Sequence, residues 1–125
     1  MKLVFVAAAS FAALMVGASA AAYAEPVIAM TYIDAVPDVF VPQNEEKAQA
    51  LLKQMNADTQ GEPGLVSFTV LRETGRPNHF AVLEIWKSDA DFAKHLAAAH
   101  TRKFRNDLQP LIGSPYDTTV TTASK

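Results

Sequence analysis

Hydrophobic and polar positions along the chain alternate between a strand period and a helix period. The run VIAMTYIDAV, Val27 to Val36, is β-branched and aromatic and predicts a strand. PDVFVPQN follows with two prolines and ends it. From Gln43 or Asn44 the period becomes helical: Ala48, Leu51, Leu52 and Met55 recur at i, i+3, i+4 and i+7, with Glu45 and Glu46 in the first turn, where the helix dipole favours them. This helix is predicted to stop before GEPG. GLVSFTVLRET (Gly64 to Thr74) and HFAVLEIWK (His79 to Lys87) read as two strands joined through GRPN into an antiparallel hairpin. A period of two puts Val66, Phe68 and Val70 on one face of the first. On the second it aligns Phe80, Val82, Glu84 and Trp86, with Leu71, Leu83 and Ile85 on the opposite faces. Ser88 is placed to cap the next helix, and Asp91 completes a capping box. That helix carries Phe92, Leu96 and Ala99. His100 to Leu111 is a further amphipathic stretch with Phe104, Leu108 and Leu111, and the Thr-rich Tyr116 to Ala123 predicts an edge strand.

The order β, α, β, β, α, β, with a break in the second helix near Ala98 left open, predicts an α+β fold of the ferredoxin-like, split βαβ kind. Its four-stranded antiparallel sheet would carry both helices on one face. The other face would be bare. Leu65, Leu71, Leu83 and Ile85 are expected there, and a contiguous exposed apolar patch marks an interface. The expectation is a homodimer with two sheets packed face to face.

Met1 and Lys2 precede the apolar stretch Leu3 to Val16, and Gly17 to Ala24 is small apart from Tyr23. That layout predicts a signal peptide over residues 1–24, cut between Ala24 and Glu25, with a second match at Ala18 and Ala20. The alternative is a retained anchor, since Leu3 to Ala24 approaches the roughly 20 residues of a spanning helix. Residues 25–125 then form a single domain, periplasmic or secreted, without stable membrane association after cleavage. The absence of cysteine excludes disulfides, thiolate nucleophiles, lipid acylation and cysteine-based metal sites. Loss of Lys2 makes the formal charge, −2 overall, one unit more negative, and no basic block is present. A nucleic-acid partner is not expected.

The segments EPGLVSFTVLRE, PNHFAVLEIWKSDADFAKHLAAAHTRKF and LQPLI resemble the antibiotic biosynthesis monooxygenase family, which includes small quinol monooxygenases. The resemblance rests on a Gly before the second strand, E-x-W at the end of the third, a Ser-capped helix with Phe, and H-L-x-x-x-H. It spans roughly residues 27–118. It implies a dimeric α+β barrel and the use of O2 to oxidise a small electron-rich aromatic, such as a quinol or anthrone, with no cofactor: no flavin, haem or metal. A phenol or anthrone is deprotonated and its carbanion hands an electron to O2. Such chemistry needs an apolar pocket and a group that takes a proton. The competing expectation is a non-catalytic barrel of the same fold that binds a small molecule or serves in stress. Haem-degrading relatives resemble this layout too, but use an Asn on the first strand and a Trp one turn into the second helix. VIAMTYIDAV has no Asn and His95 stands at the apparent Trp position, which weakens that reading, although His100 remains a candidate iron ligand.

The candidate catalytic residues are therefore Glu84, His95 and His100, with Trp86, Tyr32, Phe68 and Phe92 as substrate-binding candidates. A carboxylate at Glu84, inside an apolar strand face, must be paired or protonated, and a helix residue such as His95 is the expected partner. On a continuous helix His95 and His100 would stand about 140° apart, wrong for one metal ion, so no metal site is expected. A break near Ala98 would remove that constraint. Each candidate also has an ordinary reading: Trp86 as core, Tyr32 as a strand tyrosine, the histidines as hydrogen-bonded helix residues. His79 is expected to be solvated. Arg72, Arg102 and Arg105 read as surface charges, Arg72 near a pocket edge.

Overall fold

The computed structural model describes residues 24–125, so the predicted leader lies, apart from Ala24, outside the described residues. The elements are β1 (Val27–Asp34), α1 (Asn44–Thr59), β2 (Leu65–Arg72), β3 (His79–Trp86), α2 (Asp89–Ala97), α3 (Ala99–Leu108), a 3-10 turn (Gln109–Leu111) and β4 (Asp117–Thr122). The strands form one antiparallel sheet in the order β2-β3-β1-β4. This is the α+β, ferredoxin-like arrangement expected from the element order. No described helix is long and apolar enough to cross a membrane.

Strand parity decides which side chains meet the helices. β3 alternates without exception, with Phe80, Val82, Glu84 and Trp86 buried. Opposite them in register, β1 turns Ala29 and Ile33 inward. Ala48, Leu52 and Met55 of α1 close over this face together with Leu108 of α3. Leu52 and Leu108 are fully buried, a contribution of about 1.5–3 kcal/mol each. A second, smaller cluster lies under α2 and is built from Val27, Ala29, Trp86 and Phe92.

The expected parity of β2 holds for Phe68 and Val70 but fails at its start. The pairing with β3 shifts between Leu65 and Ser67, so Val66 is the extra residue of a β-bulge. Leu65 packs inward against both clusters, while Val66 is 55% exposed. These two are the reverse of the expectation from a strict period of two. The outward face keeps Tyr32 and Leu71 exposed, with Leu83 and Ile85 beside them on the neighbouring strand; no helix among the described residues covers it.

Candidate functional site

Three local features bring the polar residues together. Glu84 and Trp86 project inward from the end of β3, and Ser88 then starts α2 by accepting a hydrogen bond from the Asp91 backbone N–H at 3.1 Å. The Asp91 carboxylate accepts from the Ser88 hydroxyl at 2.8 Å, in place of the expected return bond to the backbone. Phe92 and His95 lie one turn apart on the buried side of α2. The helix then breaks: Ala98 is extended, with φ −62° and ψ 147°, and α3 restarts with His100 and Thr101 in its first turn. Between α1 and β2, the turn carrying Glu62 sits between two glycines of positive φ, Gly61 at 89° and Gly64 at 84°. A Cβ at Gly64 would lie 2.2 Å from Asp91 Cγ. Glycine there lets the Glu62 turn close onto the start of α2.

His95 stands at the centre of the cluster, 2% exposed. Its Nδ1 is 2.6 Å from Glu62 Oε2 in a hydrogen bond. Its Nε2 is 3.1 Å from Glu84 Oε1, but at an angle too oblique for a hydrogen bond, leaving that oxygen without a protein donor. The ring lies 4.7 Å from Trp86, centroid to centroid, and within 6.5 Å of Phe68 and 6.3 Å of Phe92. Burial disfavours the charged imidazolium, yet the contacts to Glu84 and Glu62 outweigh it and raise the His95 pKa above 6.5. His100 Nε2 lies 3.4 Å from the other Glu62 oxygen, and the two imidazoles are 5.9 Å apart.

Beside this cluster is a cavity of about 50 Å³ between sheet and helices. Phe68, Phe92, Leu96, Met55 and Val82 give it apolar walls; Glu84, His95 and Thr101 supply polar groups, and Arg105 lines it too. Thr101 Oγ1 and Glu84 Oε1 are buried without a hydrogen-bond partner. A void of that size is well below the roughly 150 Å³ that accommodates benzene. An aromatic ring therefore enters only if wall side chains swing aside.

The sequence candidates separate on these coordinates. Glu84, His95, Phe68 and Phe92 line the cavity. His100 joins the cluster through Glu62 without lining the cavity. Trp86, expected to line the pocket, is instead fully buried core packed on His95 and Phe92, because the pocket opens beside α2 and α3 while Trp86 lies beneath α2. Tyr32 is corrected more sharply. It sits on the opposite face of the sheet, 53% exposed, and donates its hydroxyl to Met30 Sδ at 2.8 Å. There it borders a different hollow, of about 230 Å³, at the hairpin end. In that hollow Arg72 pairs with Glu45, Arg76 with Glu73 and His79 with Asp34. His79 was expected to be solvated. Arg105, expected to be an ordinary surface charge, lines the central cavity. Glu62 and Thr101 were not expected; Glu62 stood in the quoted EPG run, but only the turn brings it to His95.

The family model described as antibiotic biosynthesis monooxygenase matches residues 26–107. No curated protein matches the chain. Among solved structures, Rv0793 from Mycobacterium tuberculosis is similar at 21% identity and a TM-score of 0.71, over 80% of this chain and 96% of that one. PA3566 from Pseudomonas aeruginosa aligns at 17% identity and a TM-score of 0.72, over 82% and 98%. A variant of SnoaB, described as a cofactor-independent oxygenase from Streptomyces nogalater, aligns at 19% and 0.69, over 82% and 96%. At these identities the likeness establishes the fold.

Proposed function

Because the chain belongs to the antibiotic biosynthesis monooxygenase family, we propose that its central cavity is the site of an O2-dependent oxidation of a small electron-rich aromatic, a quinol or anthrone, in which no flavin, haem or metal takes part. One observation carries the reading. Within apolar walls, Glu84 Oε1 and Thr101 Oγ1 are buried without hydrogen-bond partners, Glu84 Oε1 having only the oblique contact to His95, and buried polar atoms in that state call for a ligand or water. A phenolic hydroxyl has the chemistry for either, donating to a carboxylate oxygen and accepting from a threonine hydroxyl.

In this reading Glu84 takes the substrate proton and His95, charged and 3.1 Å away, stabilises the anion that forms. The electron-rich anion gives an electron to O2 and the two radicals combine. For an anthrone methylene the balance closes with one oxygen atom becoming the new carbonyl. The other oxygen leaves as water with the two methylene hydrogens. The dry walls protect the anion from bulk protonation. The leader-like residues 1–24 support export, and chemistry that uses only substrate and O2 suits that compartment. The bare outer face supports a homodimer.

Incubation of the purified chain with menadiol and a panel of anthrones under O2, with products followed by mass spectrometry, tests the proposal. Turnover above the spontaneous rate is expected, with Glu84→Gln slower by about 10²–10⁴-fold. Absence of acceleration across the panel overturns it. The second reading is a binding protein of the same fold, and saturable binding of these aromatics without turnover is the outcome that reading expects.

A further inference from the structure

The break at Ala98 does more than bend the helix. It swings His100 back so that His95 Nδ1, His100 Nε2 and a Glu62 carboxylate oxygen all lie within 4.8 Å of one another. Two imidazoles and one carboxylate are the donor set that divalent first-row ions take, with positions left over for water or substrate. With bonds of about 2.0–2.2 Å, donors around a tetrahedral zinc stand roughly 3.3 Å apart. His100 Nε2 and Glu62 Oε1, at 3.4 Å, already meet that spacing. His95 Nδ1 lies 2.6 Å from the other Glu62 oxygen, Oε2, so a single ion needs shifts of the carboxylate and the two imidazoles to close a set of donors that lie within 4.8 Å of one another. Two further observations point the same way. His100 Nε2 is buried with no hydrogen-bond partner. Glu84 sits 3.1 Å from the other His95 nitrogen, close enough that a small turn of ring or carboxylate makes the hydrogen bond by which a carboxylate behind a metal-bound imidazole fixes its tautomer and orientation.

We propose that Glu62, His95 and His100 form a binding site for a divalent transition-metal ion of the zinc type, with Glu84 as the positioning carboxylate behind His95. The ion takes the place of the proton shared by His95 Nδ1 and Glu62. The site shares His95 and Glu84 with the oxidation proposed above, so ion and imidazolium are alternative states of one cluster, and its test reads coordination rather than turnover.

The full chain, carrying no polyhistidine tag, is stripped with a chelator, dialysed and titrated with Co²⁺ while visible d–d absorption is recorded. An absorption that saturates at one Co²⁺ per chain and is displaced by Zn²⁺ is expected. His100→Ala and Glu62→Gln should each lower affinity by at least about tenfold, and Glu84→Gln by about 10–100-fold. His79→Ala, which removes the surface imidazole paired with Asp34, should change nothing. Far-UV circular dichroism checks the fold of each variant. Should Glu62→Gln unfold, His100→Ala decides, because that side chain is already 25% exposed. No saturable absorption, a spectrum that survives His100→Ala, or one lost in His79→Ala overturns the proposal.

Discussion

His95 shows how much a single side chain depends on where others are put. Three aromatic rings surround it, and a carboxylate stands at each nitrogen, so the imidazolium is sheltered from water yet compensated in charge. A pKa raised by folding ties protonation to stability. The folded value lies above the ordinary 6.5, so the stabilisation is complete below about pH 6.5 and is lost as pH rises through the folded pKa. Urea midpoints of metal-free protein should therefore fall on going from mildly acidic to alkaline buffer, and His95→Gln should flatten that decline. An equally steep decline in the variant would show that another group is responsible. Glu84 as the partner of His95 was legible from one fact, a carboxylate on an apolar strand face. Glu62 was not, because its side chain is ordinary for a turn and only the glycine-bounded conformation carries it to the histidines.

At the scale of elements, junctions matter as much as helices and strands. Asn44, 1% exposed at the start of α1, donates from Nδ2 to the carbonyls of Val36 and Leu111, each at 2.8 Å. One amide thus ties the end of β1 to the turn after α3, and holds α1 in place between them. Asn44→Ala removes the side-chain donor from both carbonyls, that of Leu111 keeping the Val36 N–H, and should cost about 1–3 kcal/mol, read from the urea midpoint at constant slope. A loss under about 0.5 kcal/mol would mean that water replaces the amide. The α2–α3 break is the other decisive junction. Sequence periodicity left it open, since alanine at 97, 98 and 99 favours helix continuation. In the fold, α2 lies over Trp86 and α3 over the central core beside α1, and no straight helix spans both.

For the whole molecule, the uncovered sheet face is the dominant feature. Tyr32, Val66 and Leu71 are about half exposed there, beside the partly exposed Leu83 and Ile85. The expected cover is a second copy of the chain. Light scattering after size exclusion should then give a dimer for the wild type and a monomer for Leu71→Arg with unchanged circular dichroism. A monomeric wild type would remove the homodimer from the reading. The same face explains Tyr32: alternation along β1 commits it to this side, and no rotation of the side chain reaches the central cavity.

The amino-acid sequence determined the order and type of the elements, the inward set of β3, the capped start of α2 and the bare outer face, because all of these follow from periodicity and from neighbours a few residues apart. Tertiary structure alone decided that Leu65 turns inward and Val66 outward, that Trp86 is packing and Arg105 a cavity wall, and that Glu62 joins two histidines. Those outcomes depend on a bulge, a helix break and a positive-φ turn. Each shifts side chains by about one residue's rotation or spacing, and each is selected by packing between segments far apart in the chain.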